Sequence, residues 1–229
     1  AAPTDEVVAL VSRLAPFGGL HTTHMRDEKA GVVDSVRETL EIGRRAGVPV
    51  VISHHKCSGR DNWGMSRETL RLIDDARSGR LPEQAGQNGG ARIDLDVYPY
   101  TASSTVLLPD FVASADRVLV TWSEAEPDQA GRDLADIVAD WRCSVEVAIA
   151  RLLPAGAIYV QLDAADLERI VRFRGAMIGS DGLPHDAVPH PRLWGTFPRV
   201  LGRFVRELNW LTLEEAVHRM TGKTAAVFG

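Results

Sequence analysis

Apolar positions along the chain follow two rhythms, and their alternation predicts the fold class. In TDEVVALVSRLAPFGG, residues Val7, Val8, Leu10, Val11 and Leu14 fall at helical spacing over 4–15, and Pro16 with Gly18 and Gly19 closes the segment. GLHTTH (19–24) predicts a short strand. VVDSVRETLEIGRRA (32–46) repeats the helical spacing up to Gly47. VPVVISHH (48–55), rich in Val and Ile with no polar alternation, has the pattern of a strand buried on both faces. A helix is predicted over 66–78, with Ser66 as N-cap and Glu68 near the capping-box position, and RIDLDVYP (92–99) reads as a strand. The single helix due next is replaced by a longer mixed region, 101–162, with helix candidates at 128–141 and 144–153. A connection of that length usually carries a function of its own. The rhythm resumes with a helix at 163–173, a strand at AMIGSD (176–181), and helices near 196–208 and 213–220.

Strand–helix alternation of this kind predicts an α/β fold around a parallel sheet, doubly wound or barrel. Four such units occur where a closed (β/α)8 barrel needs eight. The sheet is therefore either open or a piece of something larger. The chain lacks an initiator Met and starts directly on a complete helical segment, which reads as entry in mid-domain. No internal repeat or low-complexity tract stands out.

Composition narrows the function classes. At 229 residues, 45% hydrophobic and 25% charged, the chain suits one large globular domain or two small ones. A net charge of -5 without a basic block gives no electrostatic case for nucleic acid or an anionic membrane surface. No apolar run approaches the roughly 20 residues that span a bilayer. Cys57 and Cys143 form no disulfide framework and no Cys-x-x-Cys pair, so a reducing, cytoplasmic setting is expected, with both as small buried apolar residues.

Candidate chemistry gathers where the predicted strands end. His24 precedes MRDE (25–28), His54, His55 and Lys56 follow one apolar run, Tyr98 follows another, and Ser180, Asp181 and Gly182 follow a third. In parallel α/β folds side chains from separate strands converge at the C-terminal end of the sheet. Two histidines from adjacent strands suit Zn²⁺, and an Asp from a later strand suits a proton acceptor beside it. Strand parity puts His54 and Lys56 on one face and His55 on the other, which favours His54 as the ligand. For Asp181 in Ser-Asp-Gly, an Asx turn stands as the alternative. His21 and His218 read as hydrogen-bonded structural residues, and His185 and His190, in LPHDAVPHP, as exposed loop residues.

HTTHMRDE, VISHHK, DVYPYTASST, MIGSDGLPHD and HPRLWGTFPRVLGRFVRE, in this order, closely resemble the N-acyl-D-amino-acid deacylases (D-aminoacylases) of the amidohydrolase superfamily. The resemblance implies a zinc hydrolase on a (β/α)8 TIM barrel that cuts the amide of N-acyl-D-amino acids to a carboxylate and a free D-amino acid. It implies that His24 and His54 are metal ligands, that Asp181 is catalytic, and that Lys56, Tyr98, Ser104 and Arg192 line the substrate pocket. Region 101–162 matches the family's lid-like insertion. The family's H-x-H motif, its ligand Cys and its flanking β-sandwich have no counterpart here. The chain is therefore expected to hold about strands five to eight of the barrel, as a truncated product or part of a longer chain. Zinc is expected to bind weakly or not at all in it, and exposed barrel edges leave room for self-association. The alternatives are a cyclic-amide hydrolase of the dihydroorotase or hydantoinase type, against which HPRLWGTFPR argues, and a catalytically inactive half barrel.

Overall fold

The computed structural model describes residues 2–81 and 91–229. The helices and strands along these residues follow chain order. They run α1 (Thr4–Val11), β1 (His21–Thr23), α2 (Val32–Ala46), β2 (Val50–Ile52), α3 (Ser66–Arg77) and β3 (Ile93–Val97). The inserted region then contributes β4 (Ala102–Val106), α4 (Pro109–Ser114), β5 (Arg117–Ser123), α5 (Leu134–Trp141), α6 (Val145–Leu152) and β6 (Ala155–Val160). The chain closes with α7 (Ala164–Arg172), β7 (Ala176–Ile178), α8 (Arg192–Arg199), a π-helical continuation over Val200–Glu207, α9 (Leu213–Met220) and α10 (Gly222–Phe228).

β1, β2, β3 and β7 form one parallel sheet in that order, with His21 opposite Val50, Val50 opposite Ile93, and Leu95 opposite Ala176. Alternation along each strand sorts the side chains. Val50, Ile52, Ile93, Leu95, Val97, Ala176 and Ile178 face the helices and share a core with Val36, Leu40, Leu70, Ile73, Ile170, Val171 and Phe204. Val51, Asp94, Asp96 and Met177 carry the opposite parity, on the inner face of the sheet. A second small core, of Val8, Val11, Ile42, Ala46 and Val48, fixes α1 against α2.

Region 101–162 contains more than the two helices expected from sequence. It folds as an antiparallel sheet of order β4-β6-β5, with α5 and α6 packed on a core of its own that includes Val120, Ile137, Leu152 and Tyr159. β6 carries Gly156 where a Cβ would meet Trp122 and Thr121, and β5 is bulged between Val120 and Trp122, so local pattern reading found only the helices. Further expectations change: the strand at 176–181 stops at Ile178, and the helix at 128–141 starts only at Leu134. The strand at 48–55 ends at Ile52, and Ser66 does not cap α3. Its hydroxyl bonds instead to the buried Asp166 carboxylate, which also accepts from the Gly64 N–H at 2.7 Å and from Arg169 at 2.6 Å. A three-way buried acceptor on α7 outcompetes the local cap. Among the described residues no helix is long and apolar enough to cross a membrane.

Helix α2 lies so close to β2 that a Cβ at Gly43 would sit 2.7 Å from a Val50 methyl. On an exposed helix Gly→Ala stabilises by about 1 kcal/mol. Here the sign reverses: we expect Gly43→Ala to lower the urea-unfolding free energy by about 1–3 kcal/mol, the usual effect of overpacking.

Candidate active site

The four parallel strands deliver their next residues to one end of the sheet. Beyond β1, Met25 is buried in the core and anchors the turn, and the Asp27 carboxylate accepts the Lys29 N–H at 2.6 Å. His24 and Glu28 are thereby held on the same side. Beyond β2 the chain leaves the extended region at once, because His54 adopts a left-handed conformation with φ +41°. The His54 N–H donates to Asp96 Oδ1 at 2.8 Å, and the His55 N–H to the Asp96 carbonyl at 2.8 Å. His55 is driven into the core against Thr69 (2.8 Å). Lys56 returns to the His54 side, with Nζ 2.8 Å from His54 Nδ1. His54 and Lys56 thus share a side as the parity argument expected, but a turn, not continued strand geometry, puts them there.

The ring nitrogens His24 Nδ1 and His54 Nε2 face each other at 3.0 Å. Glu28 Oε1 lies 3.1 Å from His54 Nδ1 and 2.6 Å from Lys56 Nζ. The cluster continues across Tyr98, whose ring centroid is 5.7 Å from Lys56 Nζ and 4.6 Å from the Arg192 guanidinium. Arg192 Nη1 pairs with Asp181 Oδ2 at 2.8 Å, and Nη2 donates to the Ser104 carbonyl at 3.1 Å. All seven residues singled out from sequence therefore join one contact chain. Asp181 enters it through Arg192 and not through the histidines. Tyr98 Oη, Ser104 Oγ and Arg192 Nε are buried without a hydrogen-bond partner among the described residues, the condition expected of groups reserved for a ligand.

Two residues were missed or misplaced from sequence. Glu28 is the missed one; its signal was a carboxylate four residues after His24 in HMRDE. His190 is the misplaced one, being 2% exposed rather than a surface residue. Its Nδ1 accepts the Arg192 N–H at 2.9 Å, and Tyr100 packs edge-on at 5.2 Å. His185 is exposed as expected.

Electrostatics follow from burial. Desolvation works to raise the Glu28 pKa, but the His54 hydrogen bond and the Lys56 ammonium outweigh it and hold the carboxyl at about 2. Burial pulls the Lys56 pKa down, opposed by Glu28. Burial likewise lowers His24, takes His55 and His190 down to about 4, and pushes the Cys57 thiol up to about 12. Burial raises Asp96 and Tyr98.

The donor set fits zinc. Two imidazole nitrogens from separate loops converge at 3.0 Å, close to the about 3.3 Å that separates two nitrogens on one tetrahedral ion. His24, Glu28 and His54 together offer ligand atoms within 4.8 Å of one another. Glu28 can serve as a third ligand or accept from His54 Nδ1, the role outer carboxylates play beside metal-bound histidines.

No family model matches the chain. It is 49% identical over 228 residues to a D-aminoacylase of Alcaligenes xylosoxydans xylosoxydans, covering 100% of this chain and 45% of that protein. It is 47% identical to an N-acyl-D-glutamate deacylase of the same organism, over 98% of this chain and 44% of that protein. A solved N-acyl-D-glutamate deacylase from Bordetella bronchiseptica, complexed with zinc and a phosphonate inhibitor mimicking the tetrahedral intermediate, superposes with TM-score 0.91 at 48% identity. That match covers 100% of this chain and 46% of the solved one. Over its whole length the chain is a partial match to the D-aminoacylase/N-acyl-D-amino-acid deacylase family. It spans somewhat less than half the length of the curated relatives it matches. Its α/β architecture matches part of the D-aminoacylase structure, an amidohydrolase.

The Glu28 shift gives this site a pH signature. A carboxyl whose pKa falls from 4.5 to about 2 on folding adds stability that is complete above pH 4.5 and is lost as pH falls toward 2. In metal-free protein we expect wild type to lose up to about 3 kcal/mol more than Glu28→Gln across that window, read from urea midpoints at each pH.

Proposed function

We propose that the protein carrying this chain hydrolyses the amide bond of N-acyl-D-amino acids, giving a carboxylate and a free D-amino acid, with zinc as cofactor. The observation that carries the reading is the unbroken run of contacts from the histidine pair through Lys56, Tyr98 and Arg192 to Asp181. The relatives support it, being a D-aminoacylase and deacylases of N-acyl-D-glutamate and N-acyl-D-aspartate.

His24 and His54 hold the metal, in the neutral form that ligation requires. When bound, zinc supplies a Lewis acid for the scissile carbonyl and lowers the pKa of a water to about 7. Glu28 accepts from His54 Nδ1 and fixes its tautomer, and Lys56 balances the Glu28 charge. Asp181 takes the proton of the attacking water and passes it to the leaving amine. Arg192 holds the substrate α-carboxylate, because its planar fork bonds a carboxylate in two places. Tyr98, Ser104 and Lys56 complete that pocket. A pocket built for a free carboxylate favours linear N-acyl-amino acids over cyclic amides.

The parallel sheet reads as strands five to eight of a (β/α)8 barrel, and region 101–162 as the lid. Lys29 supports the second reading: its Nζ bonds the Asp110 carbonyl at 3.1 Å and lies 4.2 Å from the Phe111 ring centre, tying α4 to the His24 loop. β1 and β7 each pair on one side only among the described residues. Further chain, or a second copy, covers those edges.

With two imidazole ligands, this stretch of chain alone should hold zinc weakly. After dialysis we expect the 229-residue chain to retain well under one zinc by metal analysis; stoichiometric retention would overturn that reading. In the complete protein, Asp181→Asn should lower kcat on N-acetyl-D-methionine by about 10²–10⁴-fold with zinc content unchanged. Wild-type kcat in that variant would sink the assignment.

A further inference from the structure

We propose that Asp96 is a positioning residue for the zinc-binding end of β2: its carboxylate and its own carbonyl fix the left-handed turn that aims His54 at the metal. The proposal rests on the reading of His54 as a ligand. The sheet ladder ends with the Ser53 N–H on the Thr23 carbonyl at 2.9 Å. Beyond it, both of the next two N–H groups turn to one residue of β3, Asp96: His54 donates to its Oδ1 and His55 to its backbone carbonyl, each at 2.8 Å. A histidine at φ +41° is uncommon and strained, and it persists where neighbours over-determine it.

Three details set Asp96 apart from an ordinary strand polar residue. It lies on the inner face of β3, opposite Met177, with Val51 on the same face. Asp94, of the same parity, is neutralised by Arg77 at 3.1 Å and Lys223 at 3.0 Å, whereas no ion pair to Asp96 occurs among the described residues. Room for the carboxylate depends on Gly179, where a Cβ would stand 3.0 Å from Asp96 Oδ1. Gly179 opens the segment that carries Asp181, so the same carboxylate sits between the ends of β2 and β7.

The test is zinc affinity of the complete protein by chelator competition, read alongside metal-free melting temperature. Asp96→Ala should weaken zinc by about 10–100-fold, the usual effect of losing a group that orients a metal ligand. Asp96→Asn keeps an acceptor oxygen in place and should stay within about 3-fold of wild type. His54→Ala should lose zinc at least as severely as Asp96→Ala. If His54→Ala loses zinc while Asp96→Ala binds like wild type, the positioning role is wrong and the ligand reading stands. If His54→Ala also binds like wild type, both fall. Should Asp96→Ala not fold, hydrogen exchange over residues 53–56 of the wild type decides: slow amides at His54 and His55 support the clamp, and free exchange overturns it.

Discussion

In-register parallel pairing of β1, β2, β3 and β7 is the constraint on which the site depends. Parallel strands all point one way, so each must discharge its following residues at the same edge of the sheet. His24, His54, Tyr98 and Asp181 are distant in sequence and are brought to one edge by that geometry. The apolar faces of β2, β3 and β7, buried against α2, α3, α7 and the π-helical stretch, hold the register. A slip by one residue would turn every inner side chain outward.

The polar cluster at that edge is costly to assemble and is built to offset its own cost. Glu28 and Lys56 are both largely buried and satisfy each other at 2.6 Å, with His54 as common neighbour. Removing one member of such a pair leaves an uncompensated charge and typically destabilises by about 3–5 kcal/mol. At the other end of the cluster, Arg192 is buried against Tyr98, the Ser104 carbonyl and Asp181, yet its Nε is left without a partner. Tyr98 Oη and Ser104 Oγ beside it are likewise buried without a hydrogen-bond partner among the described residues.

The inserted region bears on the site through side chains that span the boundary. Gln161 accepts through its carbonyl from the Gly59 N–H and the Trp63 indole, at 3.0 Å each, and Lys29 grips α4. The region is otherwise held together by a core of its own.

Much was legible in the residues. Helix α2 and the positions of β1, β3 and α7 follow from spacing and breakers, and the strand-end residues were legible as candidates because they follow apolar runs. What the sequence could not state depends on contacts at long range. Ser66 has a cap residue's chemistry, and it bonds Asp166 because the two helices pack 100 residues apart in sequence. His190 lies in a Pro-rich stretch with the composition of an exposed loop, and it is buried because Arg192 and Tyr100 close over it. Glu28 was only one acid in a charged run until β2 brought Lys56 and His54 to it. By itself the sequence determined which polar residue types follow which apolar runs, since those runs are local; it did not set where β2 and β7 stop, at Ile52 and Ile178. The tertiary structure alone decided which of those residues share a site. That choice is made by the sheet register and by the left-handed turn at His54, held by a carboxylate 42 residues away.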